Sequence, residues 1–95
     1  ETFERKINDI PCTIVFAESY TNDLAIEMRN QYPQSKIQII IGQKGISYRC
    51  QNNSNIDLSE FAKLFNGGGH AKAAGSPISN EIKEKWISVL FHCEK

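Results

Sequence analysis

Three consecutive glycines, Gly67, Gly68 and Gly69, restrict the fold of this chain more than any other feature of its sequence. A glycine loses more backbone freedom on folding than any other residue, which costs up to about 1 kcal/mol relative to alanine in regular structure. The run also adds no side chain to a core. We therefore expect a compensating role, and close approach of a ligand to bare backbone amides would supply one.

The residues after the glycines add groups that suit an anion. Residues 70–74 are mostly good helix formers, so the sequence predicts a short helix that begins at Gly68, Gly69 and His70. Free N–H groups and the helix dipole favour an anion such as phosphate at that position. The His70 ring would add a hydrogen bond and Lys72 a mobile positive charge. A tight turn with an exposed histidine is the alternative, because a glycine-rich loop alone is a weak sign.

The charge distribution places an anion in the middle of the chain. The 11 basic and 11 acidic residues cancel, which argues against a domain that binds duplex DNA through bulk positive charge. Residues 36–76 nevertheless contain five basic and two acidic side chains, a net charge of plus three, whereas residues 1–35 contain three basic and six acidic ones, a net charge of minus three. If the chain binds an anion, the charge distribution therefore favours residues 36–76 as its site.

Several classes of protein are disfavoured by the rest of the composition. The longest apolar run, at residues 39–41, is far shorter than a membrane span, and no signal peptide is recognisable. Cys12, Cys50 and Cys93 cannot all pair, and His92 with Cys93 supplies only two metal ligands. The sequence therefore predicts a cytoplasmic chain with reduced thiols, without a metal site and without membrane contact.

The pattern of apolar residues predicts a mixed α/β fold in one domain, since 95 residues have room for one core. We expect a small mixed sheet that contains a hairpin, packed by about three helices. The predicted strands cover residues 12–16, 36–41 and 46–50, and the predicted helices cover residues 21–32, 57–66 and 80–92. Alternation in the third strand places Tyr48 on the apolar face and Arg49 on the opposite one. Residues 1–11 are polar and end in Ile10-Pro11, which predicts a connector.

The glycine block followed by Ala73-Ala74-Gly75 resembles the GGGH-x-x-AAG signature of the DHHA1 domain, the C-terminal module of DHH-family phosphoesterases. The resemblance covers most of residues 12–78, including Ser47-Tyr48-Arg49 as the S-x-R strand of the family. It departs from the family pattern at Cys50, where a serine is common, and at Asn66, where many relatives have a further glycine.

This resemblance implies that residues 12–95 form a substrate-binding domain and that residues 1–11 connect it to an N-terminal DHH domain. The implied ligand is a nucleotide or short single-stranded nucleic acid, and the implied binding residues are Gly67, Gly68, Gly69, His70 and Arg49, with Lys72 added from its charge. The DHH domain would carry two divalent metals, typically manganese, and would hydrolyse short oligonucleotides, nucleotide bisphosphates or cyclic dinucleotides. We expect no catalytic residue in this chain, because it has no Asp-His-His motif and its three aspartates are dispersed. Dimerisation is possible in such a parent protein.

A second function stays open. The same fold is implied for the C-terminal domain of alanyl-tRNA synthetases, which is an RNA-binding and dimerisation module. Basic patches would be expected in such a module, and the acidic character of residues 1–35 disfavours it. A glycine-rich turn without any ligand is the third interpretation.

Overall fold

The computed structural model describes residues 2–19, 21–51 and 53–91. Within these ranges it contains six strands, three α-helices and one 3-10 turn. In chain order they are β1 (Thr2–Ile7), β2 (Ile10–Phe16), α1 (Thr21–Gln31), β3 (Ile37–Ile41), β4 (Ile46–Arg49), α2 (Leu58–Ala62) with the 3-10 turn Lys63–Phe65, β5 (Gly68–His70), β6 (Ala73–Ser76) and α3 (Asn80–Phe91). The predicted mixed α/β fold is confirmed.

The strands form one sheet in the order β1-β2-β3-β4-β6-β5. All neighbouring pairs are antiparallel except β2 with β3, which are parallel. Parallel neighbours need a crossover connection, and α1 supplies it. The predicted β3–β4 hairpin is present and closes with a hydrogen bond from the Gly42 N–H to the Gly45 carbonyl at 2.9 Å.

The two faces of the sheet are covered differently. Side chains that alternate along the strands, such as Ile14, Ile39 and Tyr48, form a core with α2 and α3. On the other face α1 packs through Ala25 and Met28. This second face is less covered beyond α1, since β5 and Ala73 of β6 are exposed.

Residues 2–7 differ from the predicted connector because they form β1 in the sheet. Asn8 and Asp9 both have positive φ angles, as the two central residues of a tight hairpin turn require. The Arg5 side chain also donates to the Leu90 carbonyl at the end of α3, at 3.1 Å from Nε and 2.6 Å from Nη2. β1 is therefore part of the folded unit, and a connection to a preceding domain stays a prediction.

The helix predicted over residues 70–74 is wrong, because this segment forms the β5–β6 hairpin. β6 pairs with β4 on one side and with β5 on the other, so hydrogen bonding in the sheet outweighs the helix preference of the alanines. The glycines allow the close approach: a Cβ on Gly69 would lie 2.7 Å from the Cα of Ala74. The predicted end of α2 near Asn66 is confirmed, and Asn66 adopts the left-handed conformation with φ 63°.

The cysteines in the described part of the chain are free and buried. Burial raises the pKa of the Cys12 thiol to about 12. Cys93 and His92 lie outside the described residues. Among the helices that the structure describes, none has the length and apolar character of a membrane span.

Candidate functional site

Strand register brings Arg49 and His70 to the same face of the sheet. Gln38 lies opposite Arg49, Arg49 lies opposite Ala73, and Ala73 lies opposite His70. Residues directly opposite one another point to the same side of a sheet. Arg49 and His70 therefore share the α1 face, two strands apart, which corresponds to about 10 Å between their Cα atoms.

The surface between these two side chains is made of small residues. Ala73 lies between Arg49 and His70, and the neighbouring row consists of Ser47, Gly75 and Gly68. Apart from Gly68 and its two chain neighbours, no atom of the described residues lies within 4 Å of the position that a Cβ on Gly68 would occupy. The surface formed by Ser47, Arg49, Gly68, His70, Ala73 and Gly75 is called the glycine surface below. It is open to a ligand as large as a phosphate.

The Arg49 guanidinium is oriented by neighbouring groups. Its Nε donates to Oδ1 of Asn22 at 2.9 Å, and its Nη1 donates to the Tyr48 carbonyl at 2.9 Å and to the Ala74 carbonyl at 3.5 Å. Among the described residues Nη2 has no hydrogen-bond partner, so one end of the guanidinium is available to an anion. The contact of Asn22 with Arg49 depends on the crossover of α1, for which the sequence holds no local signal.

His70 ends β5, which is an edge strand, and its side chain is exposed. The imidazole makes no hydrogen bond to any residue in the described ranges. It is therefore free to bond an anion above the glycine surface, as the sequence predicts. His70 is positioned by an edge strand and not by the helix N-terminus that the sequence predicts.

Lys72 does not join Arg49 and His70. It lies in the β5–β6 turn, and its ammonium donates to the carbonyls of Ser54 and Ile56 and to the Ser54 hydroxyl. These bonds tie the turn to the loop before α2. The predicted mobile charge is thus replaced by a fixed contact.

Gly67 differs from the prediction of a bare amide, because its N–H is bonded within the fold. Its N–H donates to the Ala62 carbonyl at 2.8 Å, where α2 ends. A Cβ at this position would lie 2.1 Å from the Gly75 carbonyl oxygen. The amide of Gly67 is therefore occupied, and among the predicted glycines Gly68 and Gly69 have the exposed positions.

A cavity of about 330 Å³ adjoins the glycine surface and shares Ser47 and Gly75 with it. Its lining also includes Thr21 at the start of α1 and Lys44 in the β3–β4 turn. Lys44 lies in the β3–β4 turn and Arg49 ends β4, so the two side chains are five residues apart and no local sequence pattern links them. The charge excess of residues 36–76 was the one signal that included both.

The described residues offer no group of three or more histidine, cysteine, aspartate or glutamate side chains that would hold a metal ion. Asp57 caps α2 by accepting a hydrogen bond from the Ser59 N–H at 3.0 Å. A hydrogen bond from the Ser59 hydroxyl lowers the pKa of this carboxyl. On the glycine surface, the Arg49 guanidinium supplies positive charge and both Arg49 and His70 supply hydrogen-bonding groups, which suit an anion.

The known proteins that are similar to this chain are longer than it is. No protein-family model matches the sequence. The chain is 36% identical over 83 residues to the oligoribonuclease NrnB of Bacillus subtilis (strain 168), an alignment that covers 85% of this chain and 21% of that protein. The chain therefore spans about one fifth of the length of this relative.

Two solved structures share the fold. An uncharacterized protein from Helicobacter pylori G27 has a TM-score of 0.72 and 24% identity, over 92% of this chain and 28% of that one. The pGpG-specific phosphodiesterase PggH from Vibrio cholerae has a TM-score of 0.55 and 20% identity, over 83% of this chain and 31% of that one. The chain is thus similar in sequence to one part of an oligoribonuclease and in fold to one part of a pGpG-specific phosphodiesterase.

Proposed function

We propose that this chain is the DHHA1-type substrate-binding domain of a DHH-family phosphoesterase, and that its glycine surface binds a phosphate group of a nucleotide or short single-stranded nucleic acid. The observation that carries the proposal is the shared row of Arg49, Ala73 and His70 on one face of the sheet. The sequence similarity to an oligoribonuclease supports the same class of ligand.

In this proposal Arg49, His70 and the small residues between them each contribute to binding the phosphate. The free Nη2 of Arg49 donates a charge-assisted hydrogen bond to a phosphate oxygen, and the His70 imidazole donates a second one from the other side. Ala73 and Gly68 leave room for the phosphate between them. A hydrogen bond to a charged group contributes about 1.5–3 kcal/mol, which corresponds to a factor of about ten to one hundred in affinity.

In this proposal the chain binds substrate and another part of the parent protein hydrolyses it. An N-terminal DHH domain would hold the divalent metals, typically manganese, and residues of this chain would orient the ligand toward it. The substrate would be a short oligonucleotide, a nucleotide bisphosphate or a cyclic dinucleotide. A cytoplasmic location and possible dimerisation belong to the same proposal. The similarity to an oligoribonuclease favours it over an alanyl-tRNA synthetase module.

The proposal is tested by NMR titration of the chain with a 5′-phosphorylated dinucleotide. We expect Arg49→Ala and His70→Ala each to weaken binding about tenfold or more, because each removes a hydrogen bond to the phosphate. Lys6→Ala is the control, since exposed Lys6 lies on β1 at the opposite edge of the sheet. Unchanged affinity in both site variants would contradict the proposal.

A further inference from the structure

We propose that the cavity beside Lys44 is a second subsite, which takes the second nucleotide of a ligand whose terminal phosphate lies at Arg49 and His70. This inference rests on the proposed function and specifies its ligand as a phosphorylated dinucleotide or a compound of that size with two anionic groups. It arises from the position, charge and volume of the cavity.

The cavity is continuous with the glycine surface. Ser47 and Gly75 line the cavity and also form the row next to Arg49 and Ala73. Successive rows on one face are two residues apart, which is about 7 Å along a strand. A ligand anchored at Arg49 therefore reaches the cavity with the group that follows its first phosphate.

Lys44 supplies the positive charge for a second anionic group. Its side chain is exposed and has no hydrogen-bond or ion-pair partner in the described part of the chain. The acidic residue of the cavity lining is Glu18. Its two carboxylate oxygens accept a hydrogen bond from the Gln43 N–H, at 3.0 and 2.9 Å from the nitrogen. Glu18 is thus held against the β3–β4 turn, and it repels an anion from its own end of the cavity. The second anionic group is accordingly expected near Lys44.

The volume restricts the length of the ligand. Small-molecule sites usually enclose about 300–1,000 Å³, and a cavity of about 330 Å³ lies at the lower end of that range. Gly42 and Gly45 of the β3–β4 turn belong to the lining, so the turn bounds the cavity. There is room for one further nucleotide, whereas a longer strand would need a continuous basic track.

The test compares two ligands, a 5′-phosphorylated dinucleotide and a mononucleoside 5′-phosphate, in NMR titrations of the full 95-residue chain. For the unmodified chain we expect tighter binding of the dinucleotide, with amide shifts at Ser47 and Gly75 that are larger than for the mononucleotide. Lys44→Ala is expected to weaken dinucleotide binding about tenfold and to change mononucleotide binding by less than about twofold. Lys6→Ala should change neither affinity.

The outcomes separate this inference from the proposed function. Equal effects of Lys44→Ala on both ligands, or no effect on either, would overturn the second subsite even if Arg49→Ala weakens binding. A chain that binds neither ligand would overturn the proposed function and the subsite with it. Lys44 is exposed in a turn, so an unchanged melting temperature of Lys44→Ala is expected and establishes that the variant is folded.

Discussion

Gly67, Gly68 and Gly69 are adjacent in the sequence but have different physical roles. Gly67 lies against the Gly75 carbonyl, where a Cβ would be 2.1 Å from the oxygen. Gly69 has a φ of 145°, which side chains rarely adopt, and packs on Ala74. Gly68 faces open space. The fold requires two of the three glycines, and the third leaves the glycine surface bare.

This difference predicts a contrast between alanine variants. Gly67→Ala and Gly69→Ala should each lower the free energy of unfolding by about 2 kcal/mol or more, because overpacking and backbone strain each cost about 1–3 kcal/mol. Gly68→Ala should change it by less than about 0.5 kcal/mol and should weaken nucleotide binding, because its methyl group occupies the phosphate position. Urea denaturation and the dinucleotide titration measure the two effects. Full affinity in a stable Gly68→Ala variant would remove Gly68 from the binding surface.

Residue positions at the site were predictable only where local pattern decides them. Alternation in β4 predicted that Arg49 points away from the apolar face, and the structure places Gly68 and His70 of the motif on the same face as Arg49. The expected mobility of the Lys72 charge differs from the structure, because its ammonium binds the carbonyls of Ser54 and Ile56, and a backbone carbonyl leaves no signal in the sequence. Lys44 lines one cavity with Ser47 and Gly75, and Gly75 is there because β4 pairs with the distant β6, a contact that the sequence does not indicate.

At the scale of elements, α2 depends on its N-terminal residue. Helix α2 has only five residues before the 3-10 turn, so each group that satisfies its free N–H groups matters. The side chain of Asp57 accepts a hydrogen bond from the Ser59 N–H and so caps the helix. Leu58, Phe61 and Ala62 then bury one face of α2 in the core.

Loss of this cap should destabilise the protein in a pH-dependent way. The pKa of Asp57 is lowered by hydrogen bonds from Ser59, so its contribution is present above the unfolded carboxyl pKa and is lost as the pH falls through the folded one. Asp57→Ala should lower the melting temperature by about 5 °C at pH 7. This difference should shrink below about pH 4.

Asp57→Asn is the matched control, because it keeps a side-chain oxygen that accepts from the Ser59 N–H but does not titrate in this range. The difference in melting temperature between the Asn and Ala variants should stay constant with pH. A difference between the natural chain and Asp57→Ala that is the same at pH 3 and pH 7 would contradict the role of the ionised carboxylate. Thermal scans followed by circular dichroism supply the measurement.

Elements whose own sequence carries an apolar pattern were predicted, whereas strands that lack such a pattern were not. β3, β4, α1, α2 and α3 follow from apolar stripes and turn residues. β5 and β6 consist of glycine, alanine, serine and histidine, which have little strand preference, and only their pairing beside β4 makes them strands. β1 contains Glu4, Arg5 and Lys6, and these charged residues lack the apolar pattern that would have predicted a strand.

At the scale of the whole molecule, β1 joins the sheet to α3 at the edge opposite the glycine surface. Phe3 makes edge contacts with Phe16 at 6.3 Å and with Phe91 at 6.1 Å between ring centroids. Arg5 donates two hydrogen bonds to the Leu90 carbonyl near the end of α3. β1 thus holds β2 and the end of α3 together, although its sequence is that of a linker.

Deletion of residues 1–7 distinguishes a structural strand from a connector. Without β1 the edge of β2 loses its partner, Phe16 and Phe91 lose their contact with Phe3, and the Leu90 carbonyl loses two hydrogen bonds. We expect a loss of about 3 kcal/mol or more, which for a domain of this size lowers the melting temperature by about 12 °C or more. Arg5→Ala should lower it by a smaller amount and Lys6→Ala by almost nothing. Retention of the full melting temperature after the deletion would mean that the connector interpretation is right and that β1 adds nothing to the stability of the domain.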